Sequence, residues 1–114
     1  MKTIADLKAL LPSLLQLFSE ADCEIGDREY EHNCFYYEED GWEIEVHYEC
    51  CGEYLEDSGD YWNPPCYDLL RGWGEVTEIT AYHYDDETGD EVEFSSNELA
   101  ELFAPFNDIL KNIA

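Results

Sequence analysis

The chain has 114 residues, enough for one domain of ordinary size and too few for a second independent core. It carries 29 Asp and Glu against 5 Lys and Arg, a formal charge of −24, so nucleic-acid phosphates and anionic lipid surfaces both repel it. Apolar residues make up 45% of the chain and aromatic residues 15%, which excludes disorder as the meaning of that charge.

Residues 3–20 read as a helix, with Ile4, Leu7, Leu10, Leu11, Leu14, Leu15 and Phe18 recurring at three- and four-residue spacing on one face. Pro12 is expected to kink it or to begin a second short helix. Lys2 and the leucines imitate a signal peptide, but Asp6, Lys8 and Pro12 interrupt the pattern and no small-residue cleavage site follows. No apolar run is long enough to span a bilayer. The five cysteines (Cys23, Cys34, Cys50, Cys51 and Cys66) cannot all pair within one chain. These features together predict a reduced, cytoplasmic protein.

Residues 21–29 read as a connecting loop, followed by strands at about 30–39 and 42–50. Asp40-Gly41 suits a two-residue hairpin turn whose two positions both need positive φ. In that register Tyr37 faces Ile44 and Phe35 faces Val46, while Glu38 faces Glu43, Tyr36 faces Glu45, Cys34 faces His47 and His32 faces Glu49. Apolar and polar sets then separate onto opposite faces, as a buried sheet requires. Residues 51–74 are punctuated by Gly52, Ser58, Gly59, Pro64, Pro65, Gly72 and Gly74 and read as irregular. Strand chemistry returns at 75–84 and 91–95, around an acidic turn. Ser95 with Glu98 forms a capping box opening a helix over 96–112, expected to break near Pro105. The fold expected for this single domain, residues 1–114, is α+β: an antiparallel sheet of about four strands packed against N- and C-terminal helices.

The segments Trp42 to Tyr48, Gly59 to Pro65 and Glu75 to Ile79 follow an order of alternating strand, Pro-rich loop and second strand. Over residues 42–80 the chain resembles small acidic proteins of bacteriophages and prophages, most of them without an assigned activity. The resemblance implies a phage or prophage setting. The cysteines and the Leu-rich helix at 3–20 depart from that pattern, and no functional residue is carried over from it.

Charge is the strongest functional signal. Between Glu29 and Glu93 there are 21 acidic residues and one basic residue, Arg71. Alternate residues of a strand lie about 6.6 Å apart and neighbouring strands about 4.8 Å apart. A face bearing Glu38, Glu43, Glu45, Glu49, Glu78 and Glu93 approaches the charge density of duplex DNA, about one charge per 1.7 Å of axis. The acidic turn adds Asp85, Asp86 and Glu87. The plain alternative is a solvated surface serving solubility or salt adaptation. Tyr54, Tyr61 and Trp62 lie in the irregular segment with Tyr67 and Trp73, where aromatic side chains serve either as interface anchors or as a satellite core.

Cys34 opposite His47, beside His32 opposite Glu49, invites a zinc reading. However, no Cys-x-x-Cys or His-x-x-x-His spacing supports it, and adjacent Cys50 and Cys51 point to opposite faces. A Cys34 nucleophile with His47 as base lacks an orienting third group. Asp85, Asp86 and Glu87 are consecutive and Gly89 follows too soon for an EF-hand loop. No metal, cofactor or catalytic residue is therefore expected. The expected function is that of a small acidic inhibitor whose partner is a basic nucleic-acid-binding protein or complex of the host, a CRISPR or restriction effector. It would bind that partner by charge mimicry, without touching nucleic acid or membrane. The alternative is a phage or mobile-element module that binds a protein without mimicry.

Overall fold

The computed structural model describes residues 2–57, 59, 61, 62, 64 and 66–113, with backbone alone at 56, 57, 66 and 67. Helix α1 spans Ile4–Glu20. The backbone N–H of Thr3 donates to the Asp6 carboxylate at 2.7 Å and its hydroxyl donates at 3.1 Å, and these bonds hold the Asp6 carboxyl below its ordinary range. The helix runs through Pro12 without interruption, so no second short helix begins there. Leu7, Leu14 and Phe18 are buried on either side of the proline, and Pro12 and Lys8, whose carbonyl the proline leaves without its helical partner, lie at the surface.

Five strands follow: β1 (Gly26–Asp27), β2 (Glu31–Glu39), β3 (Trp42–Asp57), β4 (Cys66–Tyr84) and β5 (Glu91–Glu93). Asp40 and Gly41 have φ of 54° and 84° and close the β2–β3 hairpin. Its register is the one that side-chain alternation predicts, with Tyr37 facing Ile44, Phe35 facing Val46 and Glu38 facing Glu43. Strand β3 pairs antiparallel with β4, and β4 with β5. The short β1 pairs parallel with Cys51 and Gly52 of β3, so the sheet is mixed rather than purely antiparallel, and the expected 21–29 loop contains a strand.

The larger correction concerns residues 51–74. Residues 51–57 and 66–74 do not break the sheet: they belong to β3 and β4, which continue as a two-stranded arm, while the described residues between them, 59, 61, 62 and 64, are irregular as expected. Gly52 and Gly72, read from sequence as punctuation, face one another within the ladder. A Cβ on Gly52 would stand 2.7 Å from the Ile25 side chain, so this glycine permits a close approach and makes no turn. Register shifts leave Thr77 and Leu70 as extra residues on β4. The arm stretches the molecule to 69 × 24 × 20 Å, with a radius of gyration of 18.2 Å against about 13 Å for a compact chain of this length.

At the C-terminus, the Ser95 hydroxyl accepts the Glu98 N–H at 3.3 Å and opens α2 (Ser96–Leu102). The expected interruption falls at Phe103, and α3 (Ala104–Leu110) begins with Pro105 in its first turn. One apolar cluster joins α1, the inner face of the sheet and both C-terminal helices. Phe18 is central to it, its ring lying 5.4 Å from Phe35, 5.0 Å from Tyr48 and 4.5 Å from Phe106. The fold is α+β, with three helices flanking a mixed five-stranded sheet. Among the described residues no helix is long and apolar enough to cross a membrane.

Candidate interaction face

With the helices on the inner face, strand alternation commits the other half of each strand to the outer face. The register then arranges these residues in rows. Glu38, Glu43, Tyr82 and Glu93 form one row across β2, β3, β4 and β5. Tyr36, Glu45 and Thr80 form the next; Cys34, His47 and Glu78 the third; His32, Glu49 and Glu75 the fourth. Six carboxylates singled out from sequence, Glu38, Glu43, Glu45, Glu49, Glu78 and Glu93, are thus brought onto one surface. Glu75 and Glu91 join them; only the pairing of β4 with its neighbours reveals their place.

The phenols within this face report its potential. The Tyr36 hydroxyl donates to Glu38 at 3.0 Å, and that bond together with the charges of Glu38, Glu43 and Glu45 pushes its ionisation up. Burial, then the Glu91 carboxylate, does the same for Tyr82. The Cys34 thiol is raised by burial and by Glu45, the opposite of what a nucleophilic thiolate requires. Cys23, Cys34, Cys50 and Cys51 are free thiols, and the side chains of Cys66 and Tyr67 lie outside the described residues.

Arg71, the lone cation between Glu29 and Glu93, sits at the base of the arm. It pairs with Glu53 at 2.6 Å, and its guanidinium lies 5.3 Å from the centre of the Trp73 ring. The indole N–H of Trp73 donates to the Tyr30 hydroxyl at 3.3 Å. This cluster was not legible in the sequence, because Tyr30 and Trp73 meet only across the sheet. The chain matches no family model, no curated protein and no solved structure.

The remaining sequence-predicted residues lie elsewhere. Asp85, Asp86 and Glu87 occupy the β4–β5 turn at the end of the sheet, outside the paired rows. The Asp85 carboxylate accepts the backbone N–H groups of Glu87 and Thr88 at 2.9 and 3.4 Å, which hold it below its ordinary range and commit it to the turn. Tyr54 is half-buried at the base of the arm, where its hydroxyl donates to the Ile25 carbonyl at 3.0 Å. Tyr61 and Trp62 are 89% and 84% exposed beyond the end of β3, their rings edge to face at 4.8 Å. The acidic surface and the exposed aromatic pair are therefore separate features, joined by the arm.

Proposed function

We propose that this protein is a small acidic inhibitor of phage type that occupies the nucleic-acid-binding surface of a host defence effector, a CRISPR or restriction complex. It acts in the cytoplasm of the bacterial host as a binding protein, not a catalyst. The observation that carries this reading is the set of rows across β2 to β5, in which Glu38, Glu43, Glu45, Glu49, Glu75, Glu78 and Glu93 share one face and no Lys or Arg stands in the rows. With carboxylates about 5–7 Å apart in two dimensions, the face presents phosphate-like charge to a basic groove. Lysine and arginine side chains that neutralise phosphates neutralise these carboxylates in the same way, with release of the counterions held by both surfaces.

A second reading rests on a different observation. Tyr61 and Trp62 stand exposed at the far end of the arm, and Leu55 and Leu70, nearer its base, are half-exposed. Large exposed aromatic side chains supply protein–protein anchors whose strength does not depend on salt. A protein-binding module that uses the arm, with its acidity serving solubility, accounts for that feature without mimicry.

Competition separates the two. Purified CRISPR and restriction complexes are immobilised and binding is measured over a salt series, with and without their cognate nucleic acid. Mimicry requires affinity that falls steeply with salt and is abolished by the nucleic acid. Binding that tolerates salt and nucleic acid assigns the contact to the arm, and absence of binding to every complex overturns the defence-effector reading.

A further inference from the structure

We propose that His32 and His47 form a two-nitrogen site for a borderline divalent transition cation such as Zn²⁺. The residues lie on the outer face of neighbouring strands, one pairing step apart: His32 faces Glu49 and Cys34 faces His47. Their rings meet diagonally, with Nε2 of His32 3.2 Å from Nδ1 of His47, centroids 5.3 Å apart and planes inclined at 37°. Two imidazole nitrogens bound to one cation at about 2.0–2.1 Å stand about 2.9 Å apart at a right angle and about 3.3–3.4 Å apart at the tetrahedral angle. The observed separation falls inside that interval, so both nitrogens reach one cation once the rings turn to aim their lone pairs at a common point.

The other nitrogen of His47 supplies a second, independent observation. Its Nε2 faces the Glu45 carboxylate at 3.4 Å. A metal-binding histidine commonly donates its remaining ring N–H to a carboxylate, which fixes the tautomer and raises the basicity of the ligating nitrogen. Donation from Nε2 to Glu45 leaves the Nδ1 lone pair of His47 directed at His32, whose Nε2–H it accepts. When a cation takes the place of that shared proton, the proton of His32 moves through solvent to its own Nδ1, and both imidazoles remain neutral.

The surroundings favour a cation further. Glu49 faces His32, Cys34 and Glu78 face His47 from either side, Glu45 lies two residues along the same strand, and the chain carries −24 overall. Among the described residues no three His, Cys, Asp or Glu side chains converge on one point. The protein therefore supplies two nitrogens, water completes the shell, and the ion exchanges without any role in holding the fold together. This proposal is independent of charge mimicry.

The test is a titration with ZnCl₂ near neutral pH, followed by calorimetry and by the ring resonances of the three histidines. His83, whose Nε2 lies 3.1 Å from the Asp40 carbonyl at the hairpin turn, is the internal control. One Zn²⁺ should bind and shift the rings of His32 and His47 while His83 stays put, and Mg²⁺, which prefers oxygen, should move none of them. His32→Ala and His47→Ala should each weaken Zn²⁺ binding roughly tenfold or more. Glu45→Gln should weaken it by about tenfold, and Glu101→Gln on α2, the same loss of charge at a remote site, should not. Ring resonances of the unmodified protein that do not respond to Zn²⁺ would overturn the proposal without relying on any variant. So would a His32→Ala/His47→Ala double variant that binds as tightly as the unmodified protein, since diffuse carboxylate binding would then account for the signal.

Discussion

Glu38 and Glu43 face one another directly across the β2–β3 hairpin, like charges at a position where opposite charges would stabilise the pair. Neither has a Lys or Arg partner among the described ion pairs, and the row continues to Tyr82 and Glu93, so repulsion is not relieved on either side. Replacing Glu43 with Gln removes the repulsion without disturbing the hydrogen bond from Tyr36 to Glu38. We expect Glu43→Gln to stabilise the fold by about 0.2–1 kcal/mol at low salt, with the gain shrinking as salt is added. Urea midpoints for both proteins at two salt concentrations check this, and an unchanged or lower midpoint at low salt refutes it.

Binding should respond to the same face in a distributed way. Single Glu→Gln changes at Glu43, Glu45 or Glu49 should each weaken partner binding by about 1 kcal/mol or less, as for partly solvated ion pairs. The triple variant should accumulate these losses and flatten the dependence of affinity on salt, because fewer counterions are released. A triple variant that binds with unchanged affinity and salt slope makes the outer face a solubility device.

Phe18 and Trp62 should behave as opposites. Phe18 is 4% exposed and packs against Phe35, Tyr48 and Phe106, so Phe18→Ala should cost about 3–5 kcal/mol of stability. Trp62 is 84% exposed beyond the end of β3, and Trp62→Ala should change stability by no more than about 0.5 kcal/mol. Denaturant unfolding of the two variants measures both effects. A Trp62→Ala variant that is stable and also binds its partner normally removes the arm tip from the interface.

The inner face sets the alkaline limit of the fold. Burial lifts the Cys50 thiol from 9.0 to about 12 and the Tyr48 phenol from 10.0 to about 12. In the unfolded chain these groups release their protons near their ordinary values, whereas the native state holds them longer. The stability they contribute is therefore complete below pH 9.0 and is lost as the pH rises towards about 12. Urea midpoints measured from about pH 8 to about pH 11 should fall steadily, and Cys50→Ala should make the early part of that fall shallower. A midpoint that stays flat across the range would contradict this account.

What the sequence determined by itself was local. The Asp40-Gly41 turn and the alternation on either side of it fixed the β2–β3 register, and with it the facing pairs Glu38–Glu43, Tyr36–Glu45 and His32–Glu49. The spacing of Leu7, Leu14 and Phe18 gave the buried side of α1, and Pro105 announced the break that separates α2 from α3. These signals are readable because turn chemistry and periodicity act over a few residues. The tertiary structure decided what depends on distant partners. Gly52 and Gly72 carry no mark that separates a turn glycine from one facing a partner strand; the approach of Ile25, Leu69 and the Arg71 carbonyl explains why Gly52 has no side chain. Pro12 stays within α1 because the sheet and the C-terminal helices anchor apolar residues on both sides of it. The meeting of Trp73 with Tyr30 needs a long-range pairing, and the 3.2 Å approach of His32 to His47 needs side-chain rotamers that strand register alone does not set. Neither is specified by neighbours along the chain, because strand pairing brings together residues whose separation in sequence places no constraint on their distance in space.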